Sequence, residues 1–93
     1  MTDRVEVLQT SMFKRAYKRL HPRQKADVDD AIFEIVLDPT IGEAKKGDLS
    51  GVFVYKFKCR EQLTLLAYEY DPNTRILLLL GSHENFYRDL KRA

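Results

Sequence analysis

"GVFVYKFKCREQLTLLAYEYDPNTRILLLLGS", residues 51–82, is the stretch whose periodicity decides the fold. From Val52 to Cys59 the side chains alternate. Phe53, Tyr55, Phe57 and Cys59 fall on one side, Val52, Val54, Lys56 and Lys58 on the other, which is the pattern of a strand. Arg60-Glu61 is a tight connection, and Gln62 to Tyr70 forms a second strand rich in Leu and Tyr. Asp71-Pro72-Asn73 carries a strong turn signal, after which Arg75 to Leu80 forms a third strand. Connections of hairpin length make the three strands antiparallel neighbours, a meander. The last of them ends in an unbroken run of leucines, which places it inside the sheet, covered by other elements.

Working outward toward the N-terminus, the period changes to that of a helix. Val28, Ala31, Ile32, Ile35 and Val36 share one face of a segment that starts at Pro22, well placed in a first turn, and stops at Asp38-Pro39. Before it, Phe13, Ala16, Tyr17 and Leu20 recur at helical spacing behind the N-cap candidates Thr10-Ser11, and His21-Pro22 ends that helix. The two form a helical hairpin for the sheet. Val5 to Leu8 reads as a short opening strand, and residues 41–51, rich in Gly, Lys, Asp and Ser, as an ordered loop. Beyond the meander, Glu84 to Arg92 suits a short terminal helix with Ser82 as its N-cap. The expectation is an α+β fold: an N-terminal strand and helical hairpin packed on an antiparallel β-meander sheet, with a short C-terminal helix. At 93 residues, with no repeat or linker, it reads as a single domain spanning 1–93.

The apolar share of 44% and charged share of 32% are those of a folded soluble domain. No apolar run approaches a membrane span and the first residues lack a signal-peptide core, so the chain reads as cytoplasmic, with no membrane partner. One cysteine, Cys59, excludes an internal disulfide, and two histidines make a structural metal site improbable. The net charge of +2 hides a segregated pattern. Residues 1–26 sum to +5, residues 27–43 to −6, and further cations follow at Lys45, Lys46, Lys56, Lys58 and Arg60 and again at Arg88, Lys91 and Arg92. Such segregation either solvates helix faces or provides a basic face for a polyanion.

Chemistry centres on few residues. Lys56 and Lys58, two apart on a strand, project from one face about 7 Å apart, with Arg60 continuing the row if the strand extends. They either hold phosphates in register or protect an exposed sheet. His83 follows the leucine-rich strand, where a rigid sheet aims side chains accurately, and its imidazole can give or accept a proton at neutral pH; the alternative is a surface or capping residue. Phe86, Tyr87 and Arg88 follow closely, fit to stack on a base or surround a phosphodiester. No Gly-rich phosphate loop, metal-ligand spacing or magnesium-binding aspartate cluster is present, and Cys59 points with the buried aromatics.

Taken in order, the short strand, the basic-acidic hairpin ending at "LDP", the loop "KKGDLSGVFVYKF", the meander and the ending "GSHENFYRDLKR" resemble the RelE/ParE superfamily of bacterial toxins from type II toxin–antitoxin systems, over nearly the whole chain. Lys45, Gly47, Leu49 and Gly51 match the family's loop into a strand. The resemblance implies a translation-inhibiting mRNA interferase acting in the ribosome, without a metal or other cofactor, in which the RNA 2′-hydroxyl attacks its own phosphate to leave 2′,3′-cyclic phosphate and 5′-hydroxyl ends. It assigns Lys56, Lys58, His83 and Tyr87 to catalysis and Lys45, Lys46, Arg60, Phe86 and Arg88 to substrate binding. In this branch the second meander strand commonly opens with an arginine that grips the scissile phosphate. Thr64 and Leu65 stand here instead, so Arg60 or Arg88 would substitute. The ParE-like alternative is a DNA gyrase inhibitor without nuclease activity; an inactive basic RNA-binding module is a third reading. Either toxin implies a cognate antitoxin as partner, acidic and partly disordered.

Overall fold

In a computed structural model describing residues 4–83 and 86–92, the meander forms the centre of a five-stranded sheet ordered β1-β5-β4-β3-β2. Its strands are β1 (Glu6–Gln9), β2 (Glu43–Ala44), β3 (Phe53–Cys59), β4 (Gln62–Asp71) and β5 (Thr74–Ser82). β3, β4 and β5 are antiparallel neighbours, while β1 adds to β5 in parallel, Glu6 opposite Thr74 and Gln9 opposite Leu77. The leucine-rich strand thus lies inside the sheet, and β4 is its centre.

The helices are α1 (Ser11–Lys18), α2 (Pro22–Leu37) and α3 (Phe86–Arg92). Thr10 caps α1, its hydroxyl oxygen accepting from the Phe13 amide at 3.1 Å. Pro22 opens α2, and the His21 amide donates to the Gln24 side chain at 2.9 Å. The hairpin covers one face of the sheet with a core of Phe13, Val28, Ile35, Leu66, Tyr68, Leu77 and Leu80. α3 covers the other through Phe86 and Leu90, which pack on Val54, Leu65, Ala67 and Leu79. The sheet therefore separates two apolar layers. No described helix is long and apolar enough to cross a membrane.

Two local expectations need correction, and the condition set on Arg60, that β3 extend to it, is not met. Within the loop of residues 41–51, Glu43–Ala44 pairs antiparallel with β3, flanked by 3₁₀ turns at Pro39–Ile41 and Gly47–Leu49. Its two residues fall below the length at which periodicity signals a strand. Ser82 pairs with Thr64 as the last residue of β5 and is not an N-cap of α3; of the expected helical start, Glu84 and Asn85 lie outside the described residues. Arg60 and Glu61 form the two-residue β3–β4 turn with φ of 51° and 71°, the left-handed backbone that a twisted hairpin requires. That turn ends β3 at Cys59.

Candidate functional site

The key to the site is an irregularity in β5. Ala67 pairs with Leu79 but Tyr68 pairs with Leu77, so Leu78 is an extra residue, a β-bulge. It shifts the alternation by one. Leu77 faces the hairpin, Leu78 and Leu79 pack with the α3 layer, and Leu80 returns to the hairpin. In unbroken alternation with Leu77, position 83 would emerge on the hairpin side; after the bulge it follows Leu79 and Gly81 onto the α3 side. Alternation puts Lys56 and Lys58 on that side too, since Phe53, Tyr55 and Phe57 pack against the hairpin core, while Lys58, near the end of β3, also borders an open cleft with Asp27, Asp30 and Glu34 of α2. The register then brings the ring and the ammonium groups to one row. Lys58 pairs with Leu63 on β4, and His83 follows Ser82, the partner of Thr64, so it leaves the sheet beside Leu63. Two strand spacings, about 10 Å between backbones, separate the two positions. Both are exposed, and Leu63 between them is 43% exposed.

α3 adds a third group. Tyr87 meets His83 edge-on, with ring centroids 6.2 Å apart. Lys45 Nζ stands 5.0 Å from the centre of the same ring and forms a 2.8 Å ion pair with Glu43. The Lys45 ammonium is thereby held against loss of its proton, chiefly by the hydrogen bond to Glu43, and the Glu43 carboxyl is held below its usual range by the same contact. Lys56 adds a smaller attraction that lowers Glu43 further. Lys45, Lys46, Asp48, Leu49, Tyr87 and Lys91 line an open cleft of about 360 Å³ between β2 and α3. Arg88 is exposed on α3, 3.9 Å from Asp89.

Two expected binding residues are elsewhere. Phe86 is only 2% exposed and serves as the apolar anchor of α3, so it has no face free to stack on a base. Arg60 does not continue the lysine row. The turn carries it toward the hairpin, where its amide donates to Asp27 Oδ2 at 2.8 Å and its Nε lies 3.4 Å from the same oxygen. Cys59, as expected, is buried under α2, its thiol donating to the Gln24 carbonyl at 3.6 Å. No group of three metal-ligating side chains stands together among the described residues. The Lys45–Tyr87 contact was not foreseeable, because the two residues are distant in sequence and meet only through β2, which periodicity does not register. The arrangement offers chemically what anionic substrates require: several ammonium groups on a stiff surface beside an exposed imidazole.

A family model described as ParE-like toxin of type II bacterial toxin–antitoxin system matches residues 7–91. Among solved structures, an E. coli RelE toxin mutant in the free state superposes with a TM-score of 0.74 at 13% identity, covering 96% of each chain. A chain of the RelBE2 toxin–antitoxin complex of Mycobacterium tuberculosis gives 0.69 at 24% identity, over 86% of this chain and 99% of that one. A YoeB/ParE toxin from Agrobacterium tumefaciens gives 0.68 at 17%, over 85% and 99%. At these identities the structures speak to the fold. No curated protein sequence matches this one.

Proposed function

Since this chain belongs to the ParE-like toxins of type II bacterial toxin–antitoxin systems, we propose that it is a ribosome-dependent mRNA endoribonuclease of the RelE kind that arrests translation and growth. The observation that carries the reading is the row formed by Lys58, Leu63 and His83, with Lys56 behind it and Tyr87 beside the ring. In the reaction the ribose 2′-oxygen bonds to the adjacent phosphorus while the bond from phosphorus to the 5′-oxygen breaks. One proton leaves the 2′-hydroxyl and one reaches the departing 5′-oxygen, and neither transfer needs a metal. His83 exchanges one of these protons, with Lys58 its counterpart across Leu63; Lys56 and Lys58 offset the charge that gathers on the phosphorane. Tyr87, pinned by Lys45, holds or stacks the message. Lys45, Lys46 and Arg88 bind flanking phosphates, with Arg88 the remaining candidate for the missing strand arginine.

Replacing His83 with Ala should lower cleavage of ribosome-bound message by about 10²- to 10⁴-fold with the fold intact. Mapping 5′-hydroxyl ends with and without ribosomes measures it, and unchanged cleavage would remove His83 from the mechanism.

One feature favours a second reading, inhibition of DNA gyrase without nuclease activity. Near that row β4 carries Thr64 and Leu65, the latter buried under α3, where the nuclease branch commonly has its arginine. Filamentation with a DNA-damage response on expression, in place of rapid loss of protein synthesis, would decide for gyrase. As in the toxin–antitoxin complexes among its structural neighbours, a cognate antitoxin is the expected partner. Co-expression of the adjacent reading frame should restore growth.

A further inference from the structure

The sheet end that carries Lys58, Leu63 and His83 has a second side. There, under the mouth of the helical hairpin, lies a groove of about 280 Å³ with an apolar floor of Leu20, Cys59 and Leu80 and a polar rim of Arg19, Gln62 and Ser82. The rim is continuous with the candidate site, because Gln62 precedes Leu63 and Ser82 precedes His83. Arg19, the C-cap of α1, is exposed and has no ion-pair partner among the described residues, whereas the nearby guanidinium of Arg60 is engaged by Asp27. We infer that this groove receives the base of a nucleotide flanking the scissile phosphate, the RNA strand passing over the sheet end from the lysine face to Arg19.

The chemistry suits that occupant. An apolar floor fits the face of a base, while Gln62 offers both a donor and an acceptor, as does the Ser82 hydroxyl, so the rim can read a base edge. Arg19 supplies a cation for the adjoining phosphate. The groove would therefore contribute the nucleotide preference of the cut, and the lysine face the chemistry. This inference rests on the reading of the chain as an RNA-directed toxin.

The test uses the full chain carrying His83→Ala, an exposed position, photo-crosslinked to short single-stranded RNAs bearing 4-thiouridine at successive positions. Adducts are expected on the peptides containing Leu20 and Gln62, from one position beside the intended cut. Arg19→Glu should weaken binding about tenfold, and Ala16→Phe, which fills the groove without changing charge, should abolish the groove adduct while sparing adducts near Lys56. Adducts confined to the lysine face, or binding unchanged by both substitutions, overturn the groove whether or not the wild type cuts message. Groove adducts with a wild type that never cuts leave the subsite standing and overturn the nuclease reading.

Discussion

Single side chains whose partners lie far away in sequence hold this fold together, and Tyr68 and Arg75 are two of them. The Tyr68 ring is wholly buried; its hydroxyl donates to the Pro39 carbonyl at 2.6 Å and accepts from the Gly42 amide at 3.0 Å. This ties the segment after α2 to the central strand, and a Cβ at position 42 would stand 2.6 Å from that hydroxyl, which is why glycine occupies it. Arg75, 4% exposed, donates from Nε to the Ile35 carbonyl at 3.1 Å and from a terminal nitrogen to Val36 at 3.0 Å, closing carbonyls that α2 leaves open at its C-terminus. Tyr68→Phe leaves a partly buried carbonyl and amide without their partner and should cost about 1 to 2 kcal/mol, read as a lower urea midpoint with an unchanged slope. Arg75→Met, which keeps bulk and removes the donors, should cost about 3 kcal/mol by the same measurement. In the sequence both residues are visible only as members of strands. Alternation says which way a side chain points, and nothing in it names a carbonyl 29 to 40 positions away.

At the scale of elements, the helices and three long strands are legible because their periods persist over many residues, whereas the features that build the site are short. The bulge at Leu78 hides inside a uniform run of leucines, in which any phase looks alike, yet it decides the side on which His83 emerges. Its carbonyl is satisfied by α1: the Thr10 hydroxyl donates to Leu78 O at 2.7 Å while its oxygen accepts from the Phe13 amide. One threonine thus joins a helix cap to the irregularity that aims the histidine. Thr10→Val keeps the shape and removes both bonds; it should cost about 1 to 2 kcal/mol and loosen the last residues of β5. Hydrogen exchange should speed up at Leu79 to Ser82, and the edge-on contact of His83 with Tyr87 should weaken in NMR spectra. Thr10→Ser, which retains the hydroxyl, should restore both, and a Val variant indistinguishable from wild type in exchange would show that the bulge stands without its cap.

Across the whole molecule, titration divides into two unequal limbs. Burial pushes the Tyr68 hydroxyl and the Cys59 thiol upward, the hydrogen bond to Asp29 raises Tyr17, and the hydrogen bond to Glu43 raises Lys45. A group whose folded value is raised stabilises the fold fully below its unfolded value and loses that contribution as pH climbs through the folded one. For this set the loss begins above about pH 8.5, with the thiol, and continues past pH 10 with the phenols and the ammonium. In the other direction, Asp38 is lowered by the Thr40 hydroxyl and Glu43 by Lys45. Their contribution is present above about pH 4.5 and fades as pH falls through the lowered values. Both carboxyl groups are solvent-exposed and screened, while Tyr68 and Cys59 belong to the hairpin core, so the alkaline limb should be the steeper. Urea midpoints measured from pH 3 to 11 should therefore form a plateau between about 5 and 8.5 with an asymmetric fall. Cys59→Ala should delay the onset of the alkaline loss, and Tyr68→Phe, though less stable throughout, should flatten its upper part. A symmetric profile, or one that neither substitution reshapes, would mean that these buried groups do not control the stability of the core.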